Sequence, residues 1–145
     1  MEIKKITERH FNSLYELGKQ EFQGEFWFTK EFIKTTFKRK SINLGAFENR
    51  KLIGEILVDI FDPSKAWIFF LLVDKSKRRK GIGSQLLRGV EKVLPENYYK
   101  IYVDFEKQDT LASRFYKNQG FSKSGKIKDW FGLGASGLIY SKTIN

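Results

Sequence analysis

The chain has 145 residues and a formal net charge of +10 at pH 7. Its 41% hydrophobic and 16% aromatic content predicts a folded domain long enough to bury a real core, and argues against a disordered tail. With no cysteine and a single histidine, His10, a disulfide framework, a thiolate metal site and a zinc centre are all excluded.

Any catalysis must therefore rest on carboxylates, hydroxyls, tyrosine, lysine or backbone groups. No apolar run approaches membrane-spanning length, and the opening Met1-Glu2-Ile3-Lys4-Lys5 reads as the start of a strand rather than a signal peptide. An unexported, cytoplasmic protein with no membrane partner is the expectation. The positive charge attracts polyanions in general: nucleic acid, anionic lipid or a small phosphorylated ligand. Much of the excess also reads as ordinary solubility charge.

Residues 1–7 read as a first strand carrying Ile3 and Ile6. A helix starting at Thr7 or Glu8 turns Phe11, Leu14, Tyr15 and Leu17 toward the core. Phe22, Phe26, Trp27 and Phe28 cluster around Gly24, and Thr29 is set to cap a helix over 30–37 with Phe32, Ile33 and Phe37 on one side. Strands over 41–47 and 52–61 flank the turn Glu48-Asn49-Arg50-Lys51. Asp62-Pro63-Ser64-Lys65 then turns into a strand over 66–73. That strand, AWIFFLLV, is a near-continuous apolar run and predicts burial on both faces. Residues 82–94 are helical by period, with Ile82, Leu86, Leu87, Val90, Val93 and Leu94 on one face and Pro95 as the stop. A strand over 98–105 follows. Asp109 caps a helix through Asn118, and Gly120 ends it. Strands over 121–128 and 137–143 close the chain across the glycine-rich loop 129–136. There is no internal repeat, linker or low-complexity tract.

The stretch with the clearest chemistry joins the apolar strand to the long helix: Arg78, Arg79, Lys80, Gly81, Ile82, Gly83 and Ser84. A helix N-terminus offers unpaired, partly positive N–H groups, and glycines let an anion approach them. Gly-x-Gly alone fits a solvated basic turn equally well. The strand before it, the basic run within it and the helix after it favour a phosphate or pyrophosphate. No P-loop string occurs, and the dinucleotide fingerprint fails because Leu86 stands where its third glycine belongs.

What does fit is Arg78-x-x-Gly81-x-Gly83 behind Leu71-Leu72-Val73-Asp74. This resembles the acyl-CoA pyrophosphate loop of the GNAT superfamily of N-acetyltransferases. A second segment, Asp109 to Phe121, resembles that family's other signature: Ala112, Phe115, Tyr116, Gly120 and Phe121 match, and Asp109 stands where many members carry Asn. An ionised Asp still caps a helix but donates no amide N–H. The resemblance covers nearly the whole chain. It implies a single α/β domain over 1–145, with a mixed, mostly antiparallel sheet in the order β-α-α-β-β-β-α-β-α-β-β and helices on both faces.

The resemblance also implies acetyl-CoA as cosubstrate, with no metal, and a primary amine on a small molecule, peptide or protein as acceptor. The residues it assigns to the cofactor are Leu71, Leu72, Val73, Arg78, Arg79, Lys80, Gly81, Ile82, Gly83, Ser84, Asp109, Ala112 and Phe115. It makes Tyr116 the general acid that protonates the leaving thiolate. It expects the strand over 66–73 to splay from its neighbour near its end, offering the N–H of Leu72 or Val73 to the developing oxyanion. The commonest base position in the family is here Phe69. Glu55, Asp59 and Asp104 are candidates by strand adjacency, each also readable as a solvated strand residue, and a water or a substrate carboxylate would serve as well. The aromatic segment around Gly24 reads either as packing or as a wall of the acceptor cleft.

The alternative is a non-catalytic module that senses acyl-CoA or binds nucleic acid. A nucleic-acid partner is disfavoured because Arg79-Lys80-Gly81-Ile82-Gly83 lacks the aromatics of an RNA-recognition signature. A homodimer and an acyl group longer than acetyl stay open.

Overall fold

The computed structural model describes residues 1–144. Eleven regular elements follow one another: β1 (Glu2–Lys5), α1 (Phe11–Phe22), α2 (Lys30–Thr36), β2 (Ser41–Glu48), β3 (Lys51–Asp62), β4 (Lys65–Val73), α3 (Ile82–Val93), β5 (Lys100–Glu106), α4 (Thr110–Asn118), β6 (Ser122–Ile127) and β7 (Gly137–Thr143). Short 3-10 turns at Glu8–His10 and Lys75–Lys77 precede α1 and α3. The strands form a seven-stranded sheet in the order β1-β2-β3-β4-β5-β7-β6. β4 and β5 are parallel, whereas β1–β2, β2–β3, β5–β7 and β6–β7 are antiparallel. This is the mixed, mostly antiparallel α/β order that the sequence predicts. The chain forms two compact units, one of Met1–Asp59 with Phe70–Leu94, the other of Ile60–Phe69 with 95–144.

In the first unit, the register Asn43↔Leu57, Leu44↔Ile56, Gly45↔Glu55 sends successive pairs to opposite faces. On one face, Leu14 and Leu17 of α1 and Ile33 of α2 join Leu52, Leu57, Phe70 and Leu72 in a buried cluster. Gly18 lets α1 sit on Phe28: a Cβ there would meet the ring at 2.7 Å. On the other face, α3 lies so close that a Cβ on Gly54 would be 3.2 Å from both Ile82 and Leu86, and one on Gly89 would be 3.2 Å from Leu44. Helices thus cover both faces of this unit. Thr29 caps α2 as expected, its hydroxyl accepting the Phe32 N–H at 3.0 Å.

Two packing expectations need correction. The β4 run is buried on one face only: Ala66, Ile68, Phe70 and Leu72 are buried, while Phe69 is 38% exposed. The run reads as doubly buried because its outer positions Trp67, Phe69, Leu71 and Val73 are apolar too, yet they are only half-buried or exposed. Val93 is likewise exposed, as the last residue of α3 at the edge of its apolar stripe. The aromatic segment before α2 divides. Phe22 and Trp27 pack against Phe70 at 5.3 and 6.1 Å between ring centroids, whereas Phe26 stands out in solvent.

In the second unit, β4 pairs with β5 from Lys65↔Lys100 to Ile68↔Val103, and the ladder ends there, short of either strand's end. β5 continues alongside β7 to Glu106↔Gly137. Asp109 caps α4 by accepting the Ala112 N–H at 2.9 Å. The helix ends in a Schellman motif. Phe121 N–H donates to Tyr116 O, Gly120 N–H donates to Lys117 O, and Gly120 takes the left-handed conformation at φ 91°. The accompanying apolar contact is Tyr116 on Phe121, 5.2 Å between rings.

Candidate active site

The glycine turn is built as its sequence suggests. Two left-handed residues, Arg79 at φ 64° and Gly81 at φ 80°, lead into α3. Gly81 is the N-cap and has no side chain to occupy the helix end. The first intrahelical bond is Gln85 N–H to Gly81 O at 3.0 Å, so the N–H groups of Ile82 and Gly83 find no acceptor within the helix. Gly81 is exposed and Gly83 and Ser84 are half-buried, while the Ile82 side chain is buried below them. This is an accessible, positively polarised cradle suited to a phosphate group.

The basic run is not uniform. Arg79 and Lys80 are exposed and, among the described residues, form no ion pair. Arg78 instead gives its Nη2 to Glu21 Oε2 at 2.9 Å and its Nε to Val73 O at 3.0 Å. Lys77 gives its Nζ to Glu48 Oε1 at 2.6 Å. Asp74, nearly buried, accepts from Ser76 N–H at 2.9 Å, Ser76 Oγ at 2.7 Å and Gln20 Nε2 at 3.2 Å. These donors hold its carboxyl below the usual range. Gln20 and Asp74 also line a groove of about 620 Å³ together with Glu16, Lys19 and Lys51. Sequence reading missed Gln20, Glu21 and Glu48, which lie 29 to 57 positions from their partners. No local pattern signals them.

Before the turn, Leu72 is buried and Leu71 and Val73 are half-buried. Gly54, also missed, faces this corner: a Cβ there would press on Leu72 O at 3.1 Å.

In the other unit, Tyr116 is buried, stacked on Phe105 at 5.8 Å and tilted against Phe115 and Phe121. Burial, then the negative charges of Asp104 and Asp109, push its phenol well above the ordinary value. It therefore keeps its proton at neutral pH and has one to donate. Ala112 and Phe115 lie half-buried on the same helix.

The three base candidates separate. Asp104 has both carboxylate oxygens engaged, by Trp67 Nε1 at 2.6 Å and Trp130 Nε1 at 2.8 Å. Glu55 is buried, not solvated, and its Oε2 has no partner among the described residues. Burial pushes its carboxyl up to about 8, and the nearby Asn43 amide opposes that push only in part. Asp59 is raised more mildly by burial, offset by Arg39 at 3.4 Å. Among the described residues, no group of three or more His, Asp or Glu could hold a metal ion, and no helix is long and apolar enough to cross a membrane.

Similar solved structures share this fold along their whole length. The aminoglycoside 6'-N-acetyltransferase from Enterococcus faecium superposes with a TM-score of 0.85 at 18% identity, covering 100% of this chain and 98% of that one. The ribosomal-protein-S18-alanine N-acetyltransferase from Escherichia coli gives 0.86 at 16% identity, covering 99% and 94%. The PaiA N-acetyltransferase from Thermoplasma acidophilum, solved in complex with coenzyme A, gives 0.78 at 24% identity, covering 98% of each chain. No curated protein matches the sequence. The model of the Acetyltransferase (GNAT) family matches residues 8–121, which include both the glycine turn and helix α4, and the chain belongs to that family.

Proposed function

We propose that the chain is a single-domain, cytoplasmic N-acetyltransferase that moves an acetyl group from acetyl-CoA to a primary amine. The observation that carries this reading is the uncapped start of α3, where left-handed Arg79 and Gly81 leave an open cradle beside Arg79 and Lys80, two exposed cations with no ion pair among the described residues. A pyrophosphate would accept from the backbone of residues 81–84 and meet the charges of Arg79 and Lys80. The acyl-pantetheine arm would run along Leu71, Leu72 and Val73, and a cofactor role for Asp109, Ala112 and Phe115 of α4 rests on the family resemblance. Asp109 would act there as the cap it is, through the helix start rather than through a side-chain amide.

The reaction needs an amine that has lost its proton. Its lone pair attacks the thioester carbonyl carbon, and the oxygen takes the negative charge under a backbone N–H of β4. As the carbon–oxygen double bond re-forms, the carbon–sulfur bond breaks, and Tyr116 gives its proton to the sulfur. Glu55 is the base we favour for the amine proton. It is the candidate carboxyl whose buried setting brings its titration near 8, whereas Asp104 is occupied by two indoles.

The test is the melting temperature with excess acetyl-CoA, CoA or ATP. Ligand at a hundred times its dissociation constant adds about 2.7 kcal/mol, which should raise the melting temperature by roughly 5–10 °C for a chain of this size. A shift with acetyl-CoA and CoA but not ATP is the expected result. No shift with any of the three overturns the proposal.

A further inference from the structure

The connection from β4 to α3 has two parts with opposite character. Residues 73–78 are fastened along their length. Val73 O accepts from Arg78 Nε, the Asp74 carboxylate accepts from Gln20 Nε2, Lys75 N–H donates to Gln20 Oε1 at 2.9 Å, Lys77 pairs with Glu48, and Arg78 pairs with Glu21. Arg79 and Lys80 make no ion pair among the described residues. Yet the open part contains Arg79 at φ 64°, a left-handed conformation that a non-glycine residue keeps only when the surrounding structure holds it. The fastening comes chiefly from the last turn of α1, where Gln20 and Glu21 are consecutive.

We infer that Gln20, Glu21 and Arg78 are positioning residues, with α1 acting as a clamp that aims the cradle, and that Arg78 is not itself a ligand of the anion. The inference rests on the reading that the cradle takes the pyrophosphate of acetyl-CoA. The chemistry of Gln20 suits the task. Its amide offers a donor to the Asp74 carboxylate and an acceptor to the Lys75 N–H at once, which neither Glu nor Leu at that length can do. Arg78 brackets the connection, because one guanidinium bonds the carbonyl where it begins and the α1 carboxylate beside its end. Aiming matters because backbone donors stabilise an anion only when they point at its oxygens, and a helix start cannot turn to follow a displaced one.

A double-mutant cycle decides between clamp and ligand. CoA is titrated by calorimetry into wild-type protein, Glu21→Ala, Arg78→Ala, the double variant and Gln20→Leu, and each apo melting temperature is recorded. The clamp predicts that Glu21→Ala weakens CoA binding by about three- to tenfold, although it removes a negative charge near the anion. It predicts that the double variant binds no worse than Arg78→Ala alone, and that Gln20→Leu weakens binding to a similar degree. If Arg78 were a direct ligand, freeing it from Glu21 would leave CoA binding unchanged or tighter, and that result overturns the clamp. An unchanged affinity in Gln20→Leu removes Gln20 from it. Glu21 and Arg78 are both exposed, so their cycle stands even if Gln20→Leu fails to fold. Wild-type protein that binds no CoA overturns the functional reading itself, before any variant is compared.

Discussion

At the scale of single residues, position in the chain and environment in the fold part company most clearly at the acids. Glu55 and Asp104 both sit mid-strand, and nothing in their flanking sequence separates them. One lies opposite Gly45 under the α1–α2 layer with an unpartnered oxygen, while the other accepts from two indoles. The buried one has a measurable consequence. Its carboxyl titrates near 8 in the folded chain against an ordinary value of 4.5, so the folded state holds one proton more than the unfolded state between those two pH values. The stability this contributes is complete below pH 4.5 and is lost as pH rises through about 8. The neighbours on that face are Asn43 from β2, Leu57 from β3, Phe70 and Leu72 from β4, Leu14 and Leu17 from α1, and Ile33 from α2. The shift at Glu55 comes from burial and the Asn43 amide, and Asp59, further along β3, pairs with Arg39 at 3.4 Å. Glu55→Gln should therefore melt with wild type at pH 4.5 and distinctly above it at pH 9. Parallel melting curves across that range would mean that Glu55 ionises freely.

At the scale of elements, the critical contacts are where an element starts or stops. α4 begins on the Asp109 carboxylate and ends on Gly120, and the same Schellman turn seats Tyr116 against Phe121. α3 begins at a glycine and approaches β3 at another. Gly54 is the missing side chain that lets Ile82, Leu86 and the Leu72 carbonyl converge. A Cβ there lies 3.1–3.2 Å from all three, and the carbonyl cannot swing aside as a side-chain tip would. Gly54→Val should destabilise the fold by about 1–3 kcal/mol through overpacking and weaken CoA binding by moving the start of α3. Denaturant melts paired with CoA titration would check both effects. A variant as stable as wild type with unaltered affinity would show that this corner yields.

At the scale of the molecule, the charge of +10 is mostly spread over the surface, and only part of it is concentrated at the glycine turn. There, Glu21 and Glu48 neutralise Arg78 and Lys77. Attraction of a polyphosphate should then rest on a few exposed cations and on the helix start, all accessible to salt. Raising ionic strength from 50 to 300 mM should weaken CoA binding by roughly three- to thirtyfold. An affinity constant within twofold would assign the binding to apolar contacts with the pantetheine arm instead.

What the sequence by itself determined is what local chemistry controls. An apolar period near 3.6 marked α3, a continuous apolar run marked β4, and turn and cap residues bounded the remaining elements. Thr29, Asp109 and Gly120 were legible as caps because each satisfies backbone groups within four residues of itself. The glycine turn was legible because only a few residue types leave a helix start open to an anion. What only the tertiary structure decided depends on neighbours distant in the chain. It decided that β4 is buried on one face, that Glu55 is dry and Asp104 occupied, and that half of the basic run is held by α1 and β2. Burial and pairing are properties of the surface a residue meets. For Gln20, Glu21 and Glu48 that surface lies 29 to 57 residues away, beyond the reach of any spacing rule.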